Sequence, residues 1–321
     1  MNVYDFDGTI YDGDSTADYI KYCLKHYPKT RKWIFVMGWA FLLYIIGVYD
    51  KTRFKEKMYG FFKYVPEGAL SKFWDEHIKN IKQWYGKTQK ADDVVITASP
   101  EFLVEAACKR IGIKTTMGSR VDRKTGKYDG LNCRDTEKIR RLYEWKKDAK
   151  VNKFYSDSYA DTPLAELADE AYMVKGETLY RWEEYKPSLF GKLKKMFLNR
   201  EFFMFVFVGV VNTLSNIVVS TLYNLWITNA TLAFVAGYVT VNVLAYILNS
   251  VLTFKERLSV VRYVKFFISY IPNFIIQTSV VWLFDTFIHG PSVVAYAVAA
   301  IIGVPVTFIF MKIFAFKKKN K

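Results

Sequence analysis

Val3-Tyr4-Asp5-Phe6-Asp7-Gly8-Thr9 runs from a short apolar strand into two acids and a turn. Carboxylates at i and i+2 lie on one side of an extended chain. At the end of a strand, Asp5 and Asp7 can therefore share one hard cation. Magnesium suits such a place, because it takes one or two carboxylates and fills its octahedron with waters and phosphate oxygens. Gly8 permits the tight turn, and Thr9 adds a hydroxyl at the same point. Alone, an acid pair before glycine can also be an ordinary turn or a piece of a calcium loop.

Three later stretches bear on that choice. Val94-Val95-Ile96-Thr97 has the pattern of a buried strand ending in a hydroxyl, followed by Ala98-Ser99-Pro100. A hydroxyl and exposed N–H groups after a strand make a phosphate cradle. Asp135-Thr136-Glu137-Lys138 opens a helical stretch, and Lys153-Phe154-Tyr155-Ser156 is a short strand leading into Asp157-Ser158-Tyr159-Ala160-Asp161. Taken singly, Thr97 reads as a helix cap, Lys138 as a surface charge and Asp157 as a loop acid.

Together, and in this order, these stretches resemble the haloacid dehalogenase (HAD) superfamily, in its phosphoserine-phosphatase-like branch. The resemblance covers roughly residues 1–185. It implies an α/β Rossmann-like HAD domain whose site lies at the C-terminal ends of parallel strands. It further implies a magnesium-dependent phosphatase working through an aspartyl-phosphate. Asp5 is then the nucleophile, and Asp7 the general acid and later the base. Thr97 and Lys138 hold phosphoryl oxygens, with Thr9 and Ser99 beside them. Asp5, Asp157 and the Asp7 carbonyl hold Mg2+, and Asp161 supports that shell. Ser156 departs from the family, which more usually has glycine before the acid.

In this branch an inserted helical cap occupies the place of residues 15–90. Here it contains Trp33–Val48, a charge-free run of 16 residues. As a helix it is about 24 Å long, short of a ~30 Å hydrocarbon core. Lys29, Arg31 and Lys32 precede it, and Lys51, Arg53, Lys55 and Lys57 follow. We expect it to enter a membrane without crossing, since the residues before and after it must meet in one site. A buried cap helix is the alternative.

The remainder of the 321 residues is of another kind. No Asp, Glu, Lys or Arg occurs in 202–254, 266–284 or 286–311. Four spans are expected near 202–226, 230–254, 264–287 and 291–315, each about the ~20 residues a bilayer needs. A basic amphipathic linker, 186–200, joins the halves, and 201–321 forms an all-α four-helix transmembrane domain. From Lys186 onward there are 14 Lys or Arg against 3 acids, or 11 of the net 15 positive charges. These basic residues flank the spans, at Lys255, Arg257, Arg262 and Lys265 and in the tail Lys317–Lys321. That places both termini and the phosphatase domain in the cytoplasm and gives membrane lipid as a partner. The basic clusters carry no nucleic-acid motif, so no nucleic-acid partner is expected. Acids at Asp5, Asp7, Asp12 and Asp14 stand where a secretory signal needs a basic start. Cys23, Cys108 and Cys133 share no metal spacing and are expected to be reduced thiols.

A weak repeat relates Phe205–Asn212 to Phe266–Asn273, and Leu252-Thr253-Phe254-Lys255 to Phe314-Ala315-Phe316-Lys317. Asparagine in an apolar span marks either a polar path or simple interhelix bonding, so Asn212, Asn249 and Asn273 are candidates. Phe207-Val208-Gly209-Val210-Val211-Asn212 and Asn249-Ser250-Val251-Leu252-Thr253-Phe254-Lys255 resemble the GtrA-like family of small four-span proteins. That resemblance implies handling of a polyprenyl-phosphate-linked sugar in cell-surface polysaccharide synthesis. Four short spans are few to enclose a path alone, which points to a homo-oligomer. The alternatives are a phosphatase for a soluble metabolite with the spans as anchor, and a polyprenyl-linked sugar transporter with a sensing HAD domain.

Overall fold

The structure is a computed structural model describing residues 1–288 and 292–316. The chain divides into two compact units, Met1–Tyr44 with Val48–Lys186, and Ile45–Gly47 with Pro187–Lys321.

In the first unit, β1 (Asn2–Tyr4) is followed by five helices: α1 (Ser15–His26), α2 (Trp33–Ile45), α3 (Lys51–Tyr59), α4 (Ala69–His77) and α5 (Gln83–Thr88). Then come β2 (Val94–Pro100), α6 (Glu101–Arg110), β3 (Thr115–Ser119), α7 (Thr136–Trp145), β4 (Val151–Ser156), α8 (Thr162–Ala165), β5 (Ala168–Lys175) and β6 (Thr178–Arg181). The sheet order is β3-β2-β1-β4-β5-β6. All neighbours are parallel except β5 and β6. Val3 lies opposite Val94 on one side and Phe154 on the other. The near-continuous burial of β1 and β2 follows from this, because a central parallel strand is covered on both faces.

Alternation sorts the side chains between two cores. Tyr4 and Val95 join the cap side with Phe6, Tyr11, Phe73 and Trp74. Val3, Val94 and Ile96 join Leu142 and Phe154 on the other face. Trp74 anchors the cap. Its ring stands edge-on to Phe6 and Tyr11, and its Nε1 donates to the Leu103 carbonyl at 2.8 Å. Truncating such a buried aromatic costs about 3–5 kcal/mol. The three cysteines are buried free thiols.

Helix α2 is not packed wholly inside the unit. Phe35 is 83% and Trp39 64% exposed, while Ala40 is buried. It therefore presents an apolar face that this unit leaves uncovered.

The second unit is helical: α9 (Leu189–Phe197), α10 (Arg200–Tyr223), α11 (Ala230–Leu248), α12 (Val260–Ile268), α13 (Ile271–Leu283) and α14 (Ser292–Phe310). Helix α10 packs on α11, and α13 on α14. The first pair approaches closely where a Cβ on Gly237 would lie 2.9 Å from the Ser220 Cα, as small residues allow between membrane helices. Large apolar side chains face outward, with Ile217 61% and Ile301 73% exposed. An outward apolar surface fits lipid rather than water. The repeat is visible in three dimensions. α11 and α14 both end in widened π turns, Asn249–Phe254 and Met311–Ala315, and Phe254 stacks on Phe316 at 4.3 Å.

The expected third span, 264–287, is divided. Helix α12 ends at Ile268 and α13 starts at Ile271, with Pro272 in its first turn. Proline has no N–H to donate and fits only a helix start. Among the described residues, three helices are long and apolar enough to cross a membrane: Arg200–Tyr223, Thr231–Phe254 and Ala297–Ala315. The tail Lys317–Lys321 and the His289-Gly290-Pro291 connection lie outside the described residues.

Candidate active site

The chain runs out along β1, β2 and β3, then returns to the other side of β1 with β4. Strand order thus reverses beside β1, and a crevice forms there at the strand ends. Asp5 and Asp7 follow β1, Thr97 and Ser99 lie in the last part of β2, and Asp157 follows β4. Lys138 arrives from the first turn of α7.

Lys138 is fully buried. Its Nζ lies 3.1 Å from Asp5 Oδ1 and 2.9 Å from Asp161 Oδ2. Ser156 Oγ donates to the same Asp161 oxygen at 2.7 Å. This explains the departure at Ser156: the hydroxyl helps hold the carboxylate that holds the lysine. Burial alone would pull the Lys138 ammonium down, but the two carboxylates more than reverse that and hold it above its ordinary value.

Asp7 is fixed on both oxygens. The Ser15 N–H donates to Oδ1 at 2.7 Å, and Ser99 Oγ donates to Oδ2. Thr16 Oγ1 in turn donates to Ser99 Oγ at 3.0 Å. Thr97 is buried, and its Oγ1 accepts the Ser99 N–H at 3.2 Å. Thr9 is fully buried, and its hydroxyl has no partner among the described residues. Gly8 has φ +69°, and a Cβ there would fall about on the Asp157 carboxylate, 2.6 Å from its Cγ. Only glycine lets the turn after β1 approach that acid so closely.

Two lysines escaped the sequence reading. Lys82 is buried and donates to the Gly8 carbonyl. Lys175, at the end of β5, donates to the Asp157 carbonyl. A lysine at the C-terminal end of a parallel strand was the legible signal for Lys175. Lys82 sits in a mixed-charge stretch with no pattern to mark it.

The carboxylates bear the mark of incomplete neutralisation. Burial, against the opposing pull of Lys138, pushes Asp5 up to about 7, with Asp161, Asp157 and Asp7 adding to the rise. Burial and Asp14 push Asp7 up to about 6, and burial raises Asp157 as well. Among the described residues, no three acid, histidine or cysteine side chains enclose a metal by themselves. A crowd of partly neutralised carboxylates without a closed cage fits Mg2+, which keeps waters and phosphate oxygens in its shell.

A test of this fit follows from the sign of the shifts. Carboxyls raised above their usual 3.8 favour the fold when protonated. That contribution is complete below the unfolded value and is lost as pH rises through about 6 to 7. A divalent cation binds the ionised acids and offsets the loss. Magnesium should therefore raise the Tm clearly at pH 8 and hardly at pH 5. Equal shifts at both pH values, or none at pH 8, would contradict a cation at these acids.

Acid pair, buried lysine and second acid at the ends of parallel strands, under a helical cap, define a hydrolase site of the phosphoryl-transfer kind. The family model of haloacid dehalogenase-like hydrolases matches residues 3–166, and the chain belongs to that family. The GtrA/DPMS transmembrane domain matches residues 204–316, so a GtrA-like membrane domain is fused behind it. Protein CicA of Caulobacter vibrioides is 26% identical over 198 residues, covering 56% of this chain and 85% of that protein. Among solved structures, a Bordetella pertussis Tohama I protein of unknown function has a TM-score of 0.43 at 17% identity, covering 53% of this chain and 87% of the other. A phosphoserine phosphohydrolase-like protein of Francisella tularensis has a TM-score of 0.34 at 13% identity, covering 53% and 86%.

Proposed function

We propose that the chain is a magnesium-dependent phosphomonoesterase whose substrate is a lipid-linked or glycan precursor at the cytoplasmic membrane face. The observation that carries the chemistry is the buried Lys138 between Asp5 and Asp161. An Asp5 oxygen attacks phosphorus, and the bond to the leaving alcohol breaks. Asp7 gives that alcohol its proton. Water then attacks the phosphoryl group on Asp5, with Asp7 taking the water's proton, and phosphate departs. With its pKa pushed up to about 6, Asp7 can change protonation state near neutral pH, as both duties require. Lys138 stabilises charge on the phosphoryl oxygens, and Thr97 and Ser99 line the same end of β2. Asp5, Asp157 and the Asp7 carbonyl would hold Mg2+, with Asp161 keeping Lys138 in place. When bound, the ion supplies charge neutralisation and orients the phosphoryl group.

The membrane half supports the substrate reading through its enclosed polar groups. Asn212 Oδ1, Asn242 Oδ1, Asn249 Oδ1, Ser250 Oγ and Thr253 Oγ1 are buried without partners among the described residues. In an apolar domain such groups are costly unless a polar ligand or water meets them. Asn242 adds to the residues expected from sequence, while the Asn273 side chain lies outside the described residues. We take these groups to meet the polar head of a polyprenyl-phosphate-linked sugar, the product or its conjugate. The test is kcat/KM of the full-length protein in nanodiscs on a phosphorylated lipid and on p-nitrophenyl phosphate. Preference for the lipid supports the reading. Equal or better use of soluble phosphates would leave the helices as an anchor only.

The exposed face of α2 belongs to the same proposal. It enters the cytoplasmic leaflet without crossing, flanked by basic residues on both sides. Asp50 accepts the Arg53 N–H and caps α3, so a reporter cysteine belongs at exposed Val48 instead. Val48→Cys should stay unlabelled when an impermeant thiol reagent is added outside intact cells. Labelling from outside would reject the topology.

A further inference from the structure

Helix α2 begins in a cluster of rings and ammonium groups. Trp33 Nε1 donates to the Lys57 carbonyl at 2.7 Å, and its ring lies so close to Gly60 that a Cβ there would stand 2.5 Å from it. This fixes the start of α2 on the cap. Lys32 sits over the Tyr64 ring at 4.5 Å, and Lys63 over the same ring at 5.0 Å and over Trp33 at 5.3 Å. Lysine beside tryptophan and tyrosine, at the entry of a helix whose outward face is apolar, is the arrangement of a headgroup layer.

Lys63 also lines a cavity of ≈ 490 Å³ to which Tyr19, Phe62 and Phe102 give an aromatic wall. Lys63, Arg123 and Lys124 supply three cations there, against the single carboxylate of Glu67. Arg123 rests on the Phe102 ring at 5.1 Å. Among the described residues none of the three cationic side chains has a hydrogen-bond or ion-pair partner. Asp122, next along the chain, is turned to its own loop, where its carboxylate accepts the Lys124 N–H at 2.7 Å. A ring face attracts a cation but leaves its charge uncompensated. Such charges around one cavity repel one another and favour an anion with several oxygens, which arginine meets as a fork and lysine as a point charge.

We propose, on the reading that α2 enters the cytoplasmic leaflet, that this cavity receives the phosphate headgroup of an anionic phospholipid and so seats the cap on acidic membrane. Arg123, Lys63 and Lys124 meet the phosphate, and Phe62 and Phe102 the glycerol carbons beside it. Lys32, Tyr64 and Trp33 lie at the neighbouring headgroup level.

The test is lysine acetylation of the full-length protein in nanodiscs of phosphatidylcholine or phosphatidylglycerol, with rates read peptide by peptide by mass spectrometry. Relative to exposed Lys147, Lys63 and Lys124 should react about tenfold more slowly in phosphatidylglycerol, the scale of one hydrogen bond to a charged group. Arg123→Gln should remove most of that slowing at both lysines. Lys63→Gln, read at Lys124, gives the same answer if Arg123→Gln folds poorly. No slowing in the wild type overturns the proposal. So does slowing that survives both variants, which is the general effect of an acidic surface. Equal protection by inorganic phosphate added to phosphatidylcholine discs overturns the lipid as occupant. A polarity-sensitive dye on Phe35→Cys reads the insertion of α2 separately, and its emission should shift to the blue in both kinds of disc. A blue shift without protection overturns the headgroup site alone. No blue shift overturns the insertion of α2, and the site with it.

Discussion

Asp5→Asn should lower phosphate release by at least about 10³-fold while leaving the fold intact, because in the proposed route it removes the atom to which phosphorus is transferred. The amide keeps the size of the carboxyl but neither attacks nor supplies charge to a cation. The stability side follows from the same burial. Asp5 is held near 7 because an ionised acid there lacks full compensation, so a neutral side chain relieves repulsion from Asp157 and Asp7. Lys138 keeps Asp161 at 2.9 Å as partner. The Tm without magnesium should therefore be equal or higher, and the magnesium-dependent rise at pH 8 should shrink. Mass spectrometry should find the phosphorylated aspartyl peptide in wild type and not in the variant. Substantial turnover by a folded Asp5→Asn protein would remove the covalent route altogether.

Lys138→Met should damage both stability and catalysis, and a second substitution should separate the two. Its loss leaves Asp161 and Asp5 buried without their cation. Breaking a buried pair by removing one partner costs about 3–5 kcal/mol. If Lys138 meets the phosphoryl oxygens as proposed, loss of its charge should lower kcat by a further ~10²–10³-fold. In Lys138→Met/Asp161→Asn the stranded charge on Asp161 is gone, and Ser156 can still bond the amide. Thermal stability should largely return, while activity stays low. If activity returned with stability, Lys138 would be a purely structural residue.

The motifs of the candidate site were legible because each is local. Asp5 and Asp7 share a side of the chain by strand geometry alone. Val94–Thr97 and Lys153–Ser156 announce buried strands by composition, and the sheet brings their ends together as parallel pairing requires. The apolar character of the C-terminal half was equally plain, because lipid-facing helices need no partner to reveal themselves. The number of long helices was not, since hydropathy averages over Pro272 while the backbone cannot donate through it.

Sequence by itself determined the family, the two-part organisation, the acids at the strand ends and the lysine that accompanies them. Tertiary structure decided what each of those groups touches. Ser156 became the support of Asp161, and Ser99 the partner of Asp7. Lys82 and Lys175 were brought to main-chain carbonyls beside the acids. The reason is one of range. Strand alternation and turn geometry act over a few residues and are written in the local pattern. Burial, desolvation and charge pairing depend on which distant segments meet, and Lys138 and Asp5, 133 residues apart, acquire their chemistry only at 3.1 Å.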